Sequence, residues 1–262
     1  MAYDDVNRST YESERLVERY TTMPLQIAEV MVLVKYKDDY YGKRVLDVGC
    51  GAGRTAEYLR HWAGDYLCCD YSEQMTKVLK RRFDDVDCLC CDVRDMHQFG
   101  DGSYDFVLFA NNGLDSLEHE DRILGMCEVN RVLADGGLYV FSTHNRNCEH
   151  ARQEPEIQFS FDPFAFARAV VRHQRRVARR RANREYEREE KDYAIINDSS
   201  HNFSLVTYYI DQRTQVEQLK NLGFETLEIY DFEGKAIGSS EVDHASPWIY
   251  YVARKVGPPK VG

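Results

Sequence analysis

The sequence predicts an α/β protein built on a mostly parallel sheet, and three observations lead there. From Arg44 onwards, apolar runs of strand length alternate with helical stretches. A glycine-rich turn follows the first run directly, and an aspartate closes each of the next two. With 262 residues, 43% hydrophobic and 12% aromatic, the chain buries a full core.

Ser9 and Glu12 have the form of a capping box opening a helix that carries Leu16, Val17 and Tyr20. Pro24 opens a second helix, whose Leu25, Ile27, Val30, Met31 and Val34 are expected to pack on something larger. Residues 1–40 therefore read as a helical cover. The core of 41–146 is expected to place strands at 45–48, 66–69, 86–91, 106–109 and 138–141. Residues 147–202 break the alternation with an aromatic stretch at 159–166 and an arginine-rich run, and are read as an inserted lid. The core resumes over 203–256, with strands at 204–210 and 248–253, a helix at 215–222 stopped by Gly223, and strand-like alternation at Leu227 and Ile229. A tail of 257–262 follows.

A net charge of -10 opposes wholesale binding to nucleic acid or an anionic membrane. No signal peptide and no apolar run of spanning length are read, so a cytoplasmic protein is expected. Its eight cysteines are then reduced. Cys68 and Cys69 sit in one strand and Cys88, Cys90 and Cys91 in another, and Cys88 with Cys91 is a lone Cys-x-x-Cys spacing with no second pair to complete a zinc site. They are read as core residues; a metal cluster would need those strands to be neighbours.

In the turn, Asp47 is followed by Gly49, Cys50, Gly51 and Gly53, which lets backbone approach a ligand with no Cβ in the way. A dinucleotide fingerprint would need its third glycine where Arg54 stands, which disfavours nicotinamide and flavin cofactors. The run instead resembles the first motif of the class I (Rossmann-like) S-adenosylmethionine-dependent methyltransferase family, clearly over 45–145 and in outline over the C-terminal strands.

That resemblance implies a Rossmann-like, seven-stranded, mostly parallel sheet with an antiparallel last strand. It implies S-adenosyl-L-methionine as cofactor and S-adenosyl-L-homocysteine as product. It further implies that Asp70 accepts the ribose hydroxyls, that Tyr71 and Met75 flank the adenine, that Asp92 and Val93 meet its edge, and that Asn111 holds the methionine end. All lie at carboxyl ends of strands, where open parallel sheets bind ligands.

Methyl transfer to an activated carbon asks mainly for alignment and exclusion of water, with a base only where the acceptor loses a proton. His144 in Ser142-Thr143-His144-Asn145, and His201 in the same pattern at 199–202, are the expected catalytic residues, because histidine titrates near neutrality. Arg15 and Arg19 on the first helix offer a partner for the cofactor's carboxylate. Asn111 and Asn112 stand where a metal-assisted mechanism would need carboxylates, and Asp115 alone is insufficient, so no metal is expected.

Nine arginines lie between Arg168 and Arg188, suited to a phosphate or to a solvated helix. Phe159, Phe161, Phe164 and Phe166, with Tyr208 and Tyr209, are expected to line an acceptor pocket. The expected reaction is methylation at O or N of a small molecule, anionic or aromatic. The alternatives are an RNA methyltransferase using the arginine-rich insert and a non-catalytic cofactor-binding protein. Nucleic acid and membrane are not expected partners, and the oligomeric state, monomer or homodimer, is open.

Overall fold

The computed structural model describes residues 3–239 and 241–260. Its helices are α1 (Tyr3–Tyr11), α2 (Glu14–Thr22), α3 (Ile27–Lys35), α4 (Lys37–Tyr40), α5 (Ala56–Leu59), α6 (Glu73–Arg82), α7 (His119–Val132), α8 (Pro163–Asn183) and α9 (Gln212–Asn221). Its strands are β1 (Arg44–Val48), β2 (Asp65–Asp70), β3 (Asp87–Cys90), β4 (Tyr104–Phe109), β5 (Leu133–Asn145), β6 (Arg188–Glu189), β7 (Tyr193–Ile196), β8 (Thr207–Ile210), β9 (Phe224–Tyr230) and β10 (Trp248–Lys255).

Seven strands make the expected Rossmann-like sheet, in the order β3-β2-β1-β4-β5-β10-β9, and β10 runs antiparallel to both neighbours. Strand alternation divides the core: Leu46, Phe109, Phe141 and Tyr251 fill one face, while Val45, Phe106, Val140 and Tyr250 fill the other against Ala28, Val32 and Leu33 of α3. No helix among the described residues is long and apolar enough to cross a membrane.

Three further strands branch from the seven. Beyond the end of β4, the freed edge of β5 pairs in parallel with β8 at His144↔Tyr209 and Asn145↔Ile210. The short strands β7 and β6 then add antiparallel. The strand expected at 204–210 is thus part of this branch.

The second half of the insert therefore extends the sheet rather than forming a lid. Its helix α8, capped by Asp162, buries only Asn183. Phe159, Phe161 and Phe164 are 71%, 94% and 77% exposed and line no acceptor pocket, because the segment carrying them lies outside the core.

Two expectations for the cover change. Ser9 lies inside α1, its hydroxyl donating to the Val6 carbonyl, and the chain breaks at 12–13 instead. On α3, Ala28, Glu29, Val32 and Leu33 are buried while Ile27, Val30, Met31 and Val34 face solvent, the reverse of the expected face. Ala28, Val32 and Leu33 form a second apolar stripe that packs on the sheet, and Glu29 beside them pairs with Arg54.

Candidate active site

The turn after β1 opens a cleft at the carboxyl ends of the parallel strands. Gly49, Gly51 and Gly53 all have positive φ, a region in which a side chain is strained. They face different ways. A Cβ at Gly49 would collide with the Phe109 ring, and one at Gly53 with Phe83 and Leu79 of α6. At Gly51 it would meet no protein atom within 4 Å, so this backbone is left bare toward the cleft. Gly53 is thus a packing residue and the one expected cofactor contact that does not line the cleft.

The other expected contacts converge there: Asp47, Gly49, Cys50, Gly51, Asp70, Tyr71, Met75, Asp92, Val93 and Asn111. Cys50 contributes its backbone side, because its sulfur turns away to lie 4.0 Å from that of Cys88. Asp70 accepts from the backbone N–H groups of Gly51 (2.9 Å) and Ser72 (2.8 Å), which fixes its carboxylate and leaves lone pairs for a ligand's hydroxyls. Asp92 is chelated by Arg94, whose hydrogen bonds, outweighing burial, hold its carboxyl below the usual range. The buried hydroxyl of Tyr71 has no hydrogen-bond partner, an orphan that a polar ligand would satisfy. This donor and acceptor set fits a nucleoside, with hydroxyls to donate to Asp70 and a ring to lie beside Tyr71 and Met75.

Helices α1 and α2 roof the cleft through Arg8, Tyr11 and Tyr20. Arg8 lies over the Tyr71 ring at 5.2 Å, whereas Arg19 faces elsewhere and the side chain of Arg15 lies outside the described residues.

A second cavity adjoins the first, and both expected histidines line it, with Arg19, Met23, Asp115, Leu205, Val206 and Trp248. Asp115, on the turn Gly113–Ser116 after β4, was not legible as a partner. Its carboxylate accepts from the backbone N–H (2.7 Å) and ring Nδ1 (2.8 Å) of His144, and from the hydroxyl of Thr143 (2.7 Å). The fully buried Arg122 balances its charge from 3.5 Å. His201 packs against the rings of Tyr11 and Tyr20, which also touch each other, in a run of three residues with positive φ. Burial and then the Arg19 cation push its pKa down, so it is neutral at pH 7. Gln26 ties the two compartments, donating to Asn111 (2.9 Å) and accepting from the Trp248 indole (2.7 Å).

Two predictions follow from the cleft. Gly51→Ala is expected to weaken cofactor binding by about tenfold or more, since the methyl enters the cleft and strains a left-handed residue by roughly 1–2 kcal/mol. An unchanged dissociation constant by calorimetry would show that this backbone does not approach the ligand. Burial pushes the Asp70 carboxyl up to about 6. It carries its charge above that pH and loses it below, and the ribose hydroxyls need the charged acceptor. Cofactor affinity should therefore rise with pH through about 6 and then level off. Asp47, pushed up to about 6 by burial, titrates in the same range, so the test is that Asp70→Asn flattens most of the dependence.

Residues 45–137 match a family model described as a methyltransferase domain. The chain is 31% identical over 121 residues to a ubiquinone biosynthesis O-methyltransferase of Idiomarina loihiensis, covering 44% of this chain and 47% of that one. It is 35% identical over 111 residues to a demethylmenaquinone methyltransferase of Paenarthrobacter aurescens, covering 42% of each. The chain thus spans less than half the length of these relatives. Its fold is shared with an S-adenosylmethionine-dependent methyltransferase from Mesorhizobium loti, with a TM-score of 0.61 and 19% identity over 87% of this chain and 98% of that one. Residues 45–137 thus carry a methyltransferase domain, and the chain shares the Rossmann-like fold of S-adenosylmethionine-dependent methyltransferases, whose cofactor is S-adenosylmethionine.

Proposed function

We propose that the protein transfers a methyl group from S-adenosylmethionine to an oxygen or nitrogen of a small planar acceptor in the second cavity, with His144 as base. The observation that carries this is a shared wall: Tyr11, Tyr20, Asn111 and Ser116 face both compartments, so a ligand in one lies against a ligand in the other. S-adenosylmethionine, when bound, supplies a methyl group already activated by its sulfonium.

The chain's part is to align the acceptor and take its proton. Asp115, acceptor-only when ionised, assigns the proton to Nδ1 of His144 and leaves Nε2 with a lone pair. The Asn112 amide makes only a long contact to Nε2, at 3.4 Å, which an acceptor's hydroxyl would displace. As the imidazole becomes charged, Asp115 stabilises it, while Thr143 and Arg122 hold Asp115 in place. Neutral His201, packed against Tyr11 and Tyr20, orients the acceptor.

The aromatic lining supports a ring-bearing acceptor, and the relatives named for ubiquinone biosynthesis and demethylmenaquinone support the same class. On this reading 41–146 and 203–256 form the catalytic core under the cover of 1–40, in the cytoplasm, where the eight cysteines stay free. RNA is the second reading, favoured by Arg168, Arg172, Arg175 and Arg179, which line one groove along α8.

Supplying methyl-labelled cofactor with a panel of phenols, amines and total RNA tests both. The expected label appears on a small aromatic and is insensitive to salt. Labelled RNA, with binding that weakens about 10³-fold or more between 50 and 200 mM salt, would overturn it.

A further inference from the structure

Beneath the cofactor turn, the pairing of β2 with β3 sets Cys68 directly opposite Cys88. The N–H of Cys50 donates to the Cys69 carbonyl at 3.1 Å, which brings the turn over that pair. All three sulfurs lie within 4.8 Å of one another, and all three residues are buried. The strands that carry the two cysteine runs are neighbours, which is the condition the sequence left open.

We propose that Cys50, Cys68 and Cys88 form a trigonal thiolate site for one soft d10 ion of the copper(I) class, tying the cofactor turn to β2 and β3. Geometry selects the ion. At a metal–sulfur distance of about 2.3 Å, three thiolates in a trigonal plane lie about 4.0 Å apart, and the Cys50 and Cys88 sulfurs are already 4.0 Å apart. No carboxylate or imidazole belongs to the group, so hard ions lack ligands. The walls are Ala56, Leu79, Phe83 and Val86, with Tyr66, whose hydroxyl is committed to Asp47 at 2.7 Å, so a tetrahedral zinc finds no free fourth ligand.

Entry of the ion makes three metal–sulfur bonds and breaks the three S–H bonds. The protons pass to solvent and no oxidation state changes. Because Cys50 stands between Gly49 and Gly51, loading fixes the turn and slows cofactor exchange.

The test is an anaerobic titration of the full chain with copper(I), buffered by a competing chelator and followed by ultraviolet thiolate charge-transfer absorption and X-ray absorption. One equivalent bound by three sulfurs is expected. Cys68→Ser and Cys88→Ser should each weaken binding by about 100-fold or more, on the scale of metal-site losses. Cys90→Ser, at the exposed thiol, should not. If a strand variant fails to fold, Cys50→Ala on the turn gives the same reading. Binding unchanged in the Cys50, Cys68 and Cys88 variants, binding lost instead in Cys69→Ser or Cys91→Ser, or a two-sulfur spectrum would each overturn the proposal.

Discussion

Arg54→Ala is expected to lower the free energy of unfolding by about 3–5 kcal/mol, measured by urea denaturation. The guanidinium is 7% exposed and meets both oxygens of Glu29, which is 2% exposed. Glu29 also accepts from the backbone N–H of Gln26 (2.7 Å) and the hydroxyl of Tyr250 (3.1 Å), so its lone pairs are used. Removing the arginine strands a buried carboxylate that water cannot reach. The double replacement Arg54→Met with Glu29→Leu should recover most of the loss, because an apolar pair removes the uncompensated charge. A loss below about 1 kcal/mol in the single variant would mean that the pair is solvated.

His144→Ala is expected to reduce the single-turnover rate by about 10²–10⁴-fold with cofactor affinity unchanged. Asp115→Asn should also lower the rate and shift the pH profile, since the amide no longer fixes the proton on Nδ1 or offsets the imidazolium. His201→Ala should act more on the acceptor's KM than on kcat, in keeping with orientation rather than proton transfer. An unchanged single-turnover rate in His144→Ala would remove the acid–base role.

What the sequence revealed was local. The strand-turn-helix around Gly49, Gly51 and Gly53 is written in adjacent residues, and Asp70 and Asp92 are read from their places at strand ends. What it hid depends on distant pairing. Asp115 reaches His144 across 29 positions, because β4 lies beside β5. The face of α3 inverted because Ala28, Val32 and Leu33 make a second apolar stripe, and the partner that lets Glu29 be buried beside them, Arg54, is distant in sequence. The branch of the sheet was invisible because β6 has two residues and β7 four, too short for any period to declare itself. Gly53 occupied the packing role that the dinucleotide comparison assigned to the next position, so Arg54 was free to turn inward.

One buried side chain joins the roof to the rest. Asn7 of α1 donates to the carbonyls of Ser116 and Val206 and accepts from the N–H of Val206, pairing with that segment as a strand would. Thr10 adds a bond to the Ser204 carbonyl. The roof over the cleft and the stretch just beyond His201 are thereby latched together. A displacement of α1 therefore disturbs the walls of both compartments together.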